Sequence, residues 1–172
     1  GSCFPKDVKA FINTAKKNNI DLPILSAVNN FNENRVNLIA SKIIYEANLK
    51  SGDAFTLLGL SFKPNTDDVR DSTSLKIAEI LTNKGISIKC YDPEAIQNAK
   101  NQNPKLIFCS SAYEASEETK GIIIGTEWNE FRALDFVKIK NKRNNIFIFD
   151  LRNIYNRKEL EELGFHYFGT GK

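Results

Sequence analysis

The sequence has no methionine, one histidine, one tryptophan and three cysteines in 172 residues. Without methionine, Gly1 is not a retained translational start. The chain is read as a piece cut from something longer, the alternatives being a processed terminus or a cloning remnant at Gly1-Ser2. The odd, sparse set Cys3, Cys90 and Cys109 argues against a disulfide framework and for a reducing, cytoplasmic setting. No pair of cysteines has metal-ligand spacing, and His166 has no Cys or His near it in sequence. No metal site is expected, and neither is a Ser-His-Asp triad. No apolar run approaches a membrane span and no signal-peptide pattern opens the chain. The net charge of +3 is too small to point to nucleic acid.

What is present fits an ordinary soluble globular chain of one domain or a little more, since 41% of residues are hydrophobic and 26% charged. Residues 1–51 have helical periodicity. Pro5 suits a first helical position, and Val8, Phe11, Ile12 and Ala15 follow at helix spacing. After Asn18-Asn19, Pro23 opens a longer helix predicted to run to about Leu49 and to stop at Ser51-Gly52. Its apolar stripe holds Ile24, Val28, Phe31, Ile39, Ile43 and Ala47, with Leu25, Val36, Ala40 and Ile44 beside it. Two helices alone make no compact domain, so a partner surface is expected.

Beyond Gly52 the pattern alternates. Strands are predicted at 54–60, 86–91, 105–109, 121–125, 145–150 and 165–168, and helices at 72–83, 93–101, 113–119, 128–139 and 157–163. The near-pure isoleucine run at 121–125 suits burial on both faces. Alternation of this kind predicts an α/β fold, a helical segment followed by a doubly wound, Rossmann-like parallel sheet, with the domain edge near 51–52.

Two places can carry chemistry. Cys3 precedes a helix start, where the helix N-terminus and Lys6 would favour a thiolate, and Asp7 one turn on would handle a water. Equally, Cys3 is readable as a terminal cysteine with no role. Cys90 and Cys109 fall inside strand patterns and are read as structural. The second place is the loop 60–72, between a strand and a helix N-terminus, where Lys63 and Arg70 offer cations to an anion. Only Gly59 stands where a dinucleotide fold has several glycines, so a nucleotide here is held mainly by side chains. Asp92-Pro93 occupies the place of a ribose-binding acid but is read as a helix cap followed by proline. Gly169-Thr170-Gly171-Lys172 lacks phosphate-loop spacing, and the basic run 138–143 is read as a solvated helix end.

Taken in order, Gly1-Ser2-Cys3-Phe4-Pro5-Lys6-Asp7, the run Gly59 to Ser72, Tyr91-Asp92-Pro93, Thr126-Glu127-Trp128 and Asp150-Leu151-Arg152-Asn153 resemble the motifs of the UDP-glucose/GDP-mannose dehydrogenase family. They do so in the form carried by its UDP-glucose 6-dehydrogenase members, across essentially the whole chain. The resemblance implies that residues 1–51 end a central helical, dimer-forming domain and that 52–172 form a C-terminal domain binding a UDP-sugar substrate. It also implies that an N-terminal NAD-binding domain lies outside this chain. It implies oxidation of a sugar C6 alcohol to a carboxylate with NAD as cofactor, by way of a thiohemiacetal and a thioester on Cys3. By the same resemblance Asp7 handles the hydrolytic water and Lys6 and Arg70 contact the cofactor. Phe4, Phe62, Lys63 and Arg152 would contact the substrate. Leu151 departs from the glycine of many members, which changes local backbone freedom and not the arginine's role.

The leading expectation is therefore the substrate-binding part of such an enzyme, a homodimer that is inactive as this piece alone. GDP-mannose and UDP-N-acetylhexosamine are the alternative substrates. The reading from another class is a non-catalytic nucleotide-binding or dimerisation module.

Overall fold

The computed structural model describes residues 3–140 and 146–171. Helix α1 spans Cys3–Lys17 and ends where Asn19 adopts a left-handed backbone, φ 55°. Helix α2, Pro23–Glu46, has proline in its first turn and gives way to left-handed Asn48, φ 45°. That stop comes before the predicted Ser51-Gly52, because an asparagine tolerates the left-handed cap conformation.

The strands are β1 (Ala54–Leu58), β2 (Ser87–Tyr91), β3 (Ile107–Phe108), β4 (Gly121–Ile124), β5 (Ile146–Asp150) and β6 (Phe165–Gly169). Between them run α3 (Thr73–Asn83), α4 (Ile96–Gln102), α5 (Ala112–Ser116), α6 (Asn129–Arg132), α7 (Phe136–Lys140) and α8 (Arg157–Glu162). All six strands are parallel, in the order β3-β2-β1-β4-β5-β6. The order reverses between β1 and β4, which makes that junction the switch point of a doubly wound sheet.

Every residue of β4 is buried, as a strand covered on both faces requires. One core, with Phe55, Leu57, Ile77, Leu81 and Ile123, includes Ala40 and Ile43 of α2 and Ala47, which caps it. The other gathers Leu58, Ile122, Ile124, Phe131, Phe136 and Ile148. Thus the C-terminal half of α2 is packed into the α/β core. Its N-terminal half is not: Ile24 is 79% exposed and Phe31 61% exposed. The stripe predicted for α2 is continuous in sequence but is covered along only part of its length.

Two predicted helices change shape. The segment 128–139 is broken into α6 and α7, because the Asp135 carboxylate accepts the Lys138 amide at 3.0 Å and starts a new helix. Helix α4 begins at Ile96 rather than at Pro93, since Asp92 Oδ1 accepts the amides of Glu94 (3.0 Å) and Ala95 (2.8 Å) and winds 93–95 into a turn. Of the basic run, Lys138 and Lys140 lie in α7, whereas 141–143 fall outside the described residues, as does Lys172.

Candidate functional site at the strand ends

The loops after β1, β2, β4 and β5 converge at the carboxyl edge of the sheet. Asp92, fully buried just after β2, ties three of them together. Its Oδ2 accepts the amides of Leu60 (2.7 Å) and Ser61 (3.1 Å), the Ser61 hydroxyl (3.2 Å) and the Trp128 indole N–H (3.2 Å). With Oδ1 capping the turn, a charged group sits in the interior because donors surround it. The helix-cap reading of Asp92 accounts for one oxygen; the other locks the β1 loop to the β4 loop.

Thr126 reinforces the junction by donating its hydroxyl to the Ser61 carbonyl at 2.6 Å. Two glycines let the backbones approach. A Cβ on Gly59, whose φ is +92°, would lie 2.5 Å from Thr126 N. A Cβ on Gly125 would collide with the Ser74 hydroxyl and lie 2.6 Å from the Gly59 carbonyl oxygen. These glycines serve packing between loops, a use that a phosphate-cradling fingerprint does not describe.

From this locked junction the chain presents Phe62, half-buried, and Lys63, exposed, with the Lys63 ammonium 5.5 Å from the Phe62 ring centre. Ser72 closes the loop. Its hydroxyl donates to the Leu60 carbonyl at 2.6 Å and accepts the Leu75 amide, capping α3 as expected. Arg70 is exposed and grips Asp68 with Nε and one amino group, at 3.0–3.1 Å and 2.7 Å. Those hydrogen bonds hold the Asp68 carboxyl down at about 2. Beside this pair lies an open recess of about 660 Å³, with Asn98 of α4 donating to Asp67.

After β5, buried Asp150 accepts the Arg152 amide (3.0 Å) on one oxygen and the Tyr155 amide and Tyr167 hydroxyl (both 3.0 Å) on the other. Burial, then the charge of Asp150, pushes both phenols up from their ordinary value. Tyr155 donates its own hydroxyl to the Phe131 carbonyl. The turn so fixed carries Arg152, whose Nε donates to the Gly125 carbonyl at 2.7 Å. The left-handed residue here is Asn153, φ 53°, not Leu151, which packs its side chain against the core. The local freedom attributed to position 151 is therefore not used at 151.

Phe4, Lys6 and Asp7 stand exposed on the first turns of α1. Cys3 is the first residue of that helix, rather than one preceding it, and its side chain lies outside the described ones. Farther along α1, Lys9 pairs with Glu33 at 2.9 Å, and Asp71 of the β1 loop adds to the field that raises Lys9. Cys90 and Cys109 are buried and unbridged, and burial pushes the Cys90 thiol up to about 12, which leaves it inert. Among the described residues no helix is long and apolar enough to cross a membrane.

Residues 56–157 match the UDP-binding domain of the UDP-glucose/GDP-mannose dehydrogenase family, and residues 1–34 match its central domain. The chain is 39% identical over its whole length to a UDP-glucose 6-dehydrogenase of Rhizobium meliloti (strain 1021). It is 41% identical over 99% of its length to one of Rickettsia bellii (strain RML369-C). In both cases it spans 40% of the relative's length. Among solved structures, a UDP-glucose dehydrogenase from Pyrobaculum islandicum superposes with a TM-score of 0.79 at 28% identity, over 96% of this chain and 37% of that one. A UDP-D-ManNAc dehydrogenase from Pyrococcus horikoshii superposes with a TM-score of 0.75 at 27% identity, over 98% and 38%. The matched range 56–157 takes in the loops after β1, β2, β4 and β5, and the chain belongs to the UDP-glucose/GDP-mannose dehydrogenase family.

Proposed function

We propose that this chain is the C-terminal, sugar-nucleotide-binding part of an NAD-dependent UDP-glucose 6-dehydrogenase, with residues 1–51 ending its central domain and 52–172 forming the UDP-binding domain. The observation that carries the reading is the placing of a cation on each of two loops that flank the loop after β4. Lys63 and Arg152 arrive from loops after β1 and β5, and both loops are locked to the loop after β4. Ligands of open α/β sheets bind in this crevice, and lysine and arginine are the side chains that meet a diphosphate there. Phe62 adds an apolar face beside Lys63.

The remaining roles follow the family resemblance. Phe4 completes the substrate pocket. The Cys3 thiolate adds to the C6 aldehyde and holds the sugar first as a thiohemiacetal and then, one oxidation later, as a thioester, which water hydrolyses with Asp7 orienting it. When bound, NAD accepts the two hydrides. Arg70 fits a contact with its pyrophosphate, because Asp68 engages Nε and one amino group and leaves the other amino group to an anion. Lys6, exposed on α1, would be the second cofactor contact. The described chain has no glycine-rich turn on which to seat a dinucleotide, so NAD would be held mainly by a domain outside these residues. The bare half of α2 suits a homodimer seam.

The test is stoichiometric. Incubate the intact protein with limiting UDP-glucose and excess NAD and count NADH. About two NADH per sugar, abolished by Cys3→Ala, is the expected result. Turnover of GDP-mannose or a UDP-N-acetylhexosamine instead would change the substrate. No turnover with any of the three would overturn the reading in favour of a non-catalytic nucleotide-binding module.

A further inference from the structure

Arg152 is held by one edge. Its single Nε hydrogen goes to the Gly125 carbonyl at 2.7 Å, and Glu127 Oε2 lies 3.2 Å from the same nitrogen. That oxygen is buried and accepts no hydrogen bond among the described residues. Glu127 therefore acts on Arg152 by charge and position, the Nε hydrogen being already committed. The two side chains are each about a third exposed, 33% for Arg152 and 35% for Glu127, so solvent screens the pair only partly. The backbone beneath Arg152 is fixed separately by Asp150. With the Nε edge occupied on the β4 side, the edge formed by the two amino groups is the one offered to a ligand. That edge matches two phosphate oxygens.

We propose that Glu127 is a positioning residue for Arg152, holding the guanidinium by its Nε edge so that the amino edge meets the diphosphate of the sugar nucleotide. The inference rests on the reading of Arg152 as a nucleotide contact and adds the group that aims it. Glu127 touches no phosphate, since its charge would repel one. Its removal acts only while Arg152 is present.

The experiment is a double-mutant cycle read by calorimetric titration of the intact protein with UDP. The variants are Glu127→Gln, which keeps shape and removes charge, Glu127→Ala, Arg152→Ala and the double alanine variant. Melting curves confirm that each is folded. Glu127→Ala is expected to weaken UDP binding about tenfold, Glu127→Gln somewhat less, and Arg152→Ala at least as much as Glu127→Ala. The double variant should bind as Arg152→Ala alone does. If Glu127→Ala costs the same factor with and without Arg152, or tightens binding, the positioning role is overturned while Arg152 keeps its place. If Arg152→Ala leaves UDP affinity unchanged, the reading of Arg152 falls and the positioning role falls with it.

Discussion

Replacing Asp92 should loosen the site and the fold together, and the two simplest replacements should differ by a calculable amount. In Asp92→Ala, four buried N–H donors lose their acceptor, the amides of Leu60, Ser61 and Ala95 and the Trp128 indole, and the Ser61 hydroxyl loses it as well. An unsatisfied buried donor costs about 1–3 kcal/mol, so even the low end gives about 4 kcal/mol. That is a large share of a domain's typical stability of about 5–15 kcal/mol. Asp92→Asn keeps the volume and one oxygen. It exchanges charge-assisted bonds for neutral ones on one side and sets an NH2 against donors on the other, for a cost of about 2 kcal/mol. At about 2–4 °C per kcal/mol, the melting temperature should fall by about 4–8 °C for asparagine and roughly twice that for alanine. Trp128 is the only tryptophan and is buried, so its red-shifting emission in a urea titration reports the transition from the site itself. Alanine and asparagine variants that both lie within about 0.5 kcal/mol of the parent would refute the claim that Asp92 is the tie between the loops.

Gly125→Ala should destabilise by about 1–3 kcal/mol in urea, because its Cβ has no room against Ser74 and the Gly59 carbonyl; a neutral result would mean that the two loops are not in contact. The depressed Asp68 carboxyl should stay ionised as pH falls, its pairing with Arg70 being intact above the ordinary carboxylate range and lost only as pH drops through about 2. An NMR titration should show this, and Arg70→Ala should raise Asp68 part of the way towards the free value of about 3.9, the backbone amide of residue 70 still holding it down. A parent titration already near that value would contradict the pairing. Sedimentation should show self-association through α2, lost on replacing Ile24 and Phe31 with serine; a monomer at high concentration would count against the seam.

The sheet was legible because its signals are local. Isoleucines fill β4, Gly85 with its φ of +81° closes α3, and Ser72 caps it. The errors are local competitions that periodicity does not resolve. Phe131, Phe136 and Ile139 fit one helix as well as two, and the break lies in what the Asp135 side chain does. For α2, an apolar stripe states that something covers it but not how far the cover extends. The site was half legible. Lys63 and Arg70 stand in a loop after a strand, where cations attract notice, whereas Arg152 is singled out only by the family resemblance. Asp92 is readable only as a helix cap, and Glu127 and Asp150 leave no local mark, because what matters is their partners. Trp128 is 36 residues from Asp92, and Arg152 is 27 residues from the carbonyl it uses. Only the order β2-β1-β4-β5 brings these groups together.

The half-docked α2 also behaves as a lever. Its docked end is the patch from Val36 to Ala47, and its far end, Pro23, is 13 residues from Val36, about 20 Å at the helical rise. A tilt of about 5° at the patch would therefore swing the far end by about 2 Å. Helix α1, packed on α2 and carrying the proposed nucleophile at its start, would move with that arm. The packed residues from Val36 to Ala47 thus set the angle of the whole N-terminal segment, and one bulky substitution at Ala40 or Ile43 would shift the proposed nucleophile without touching it.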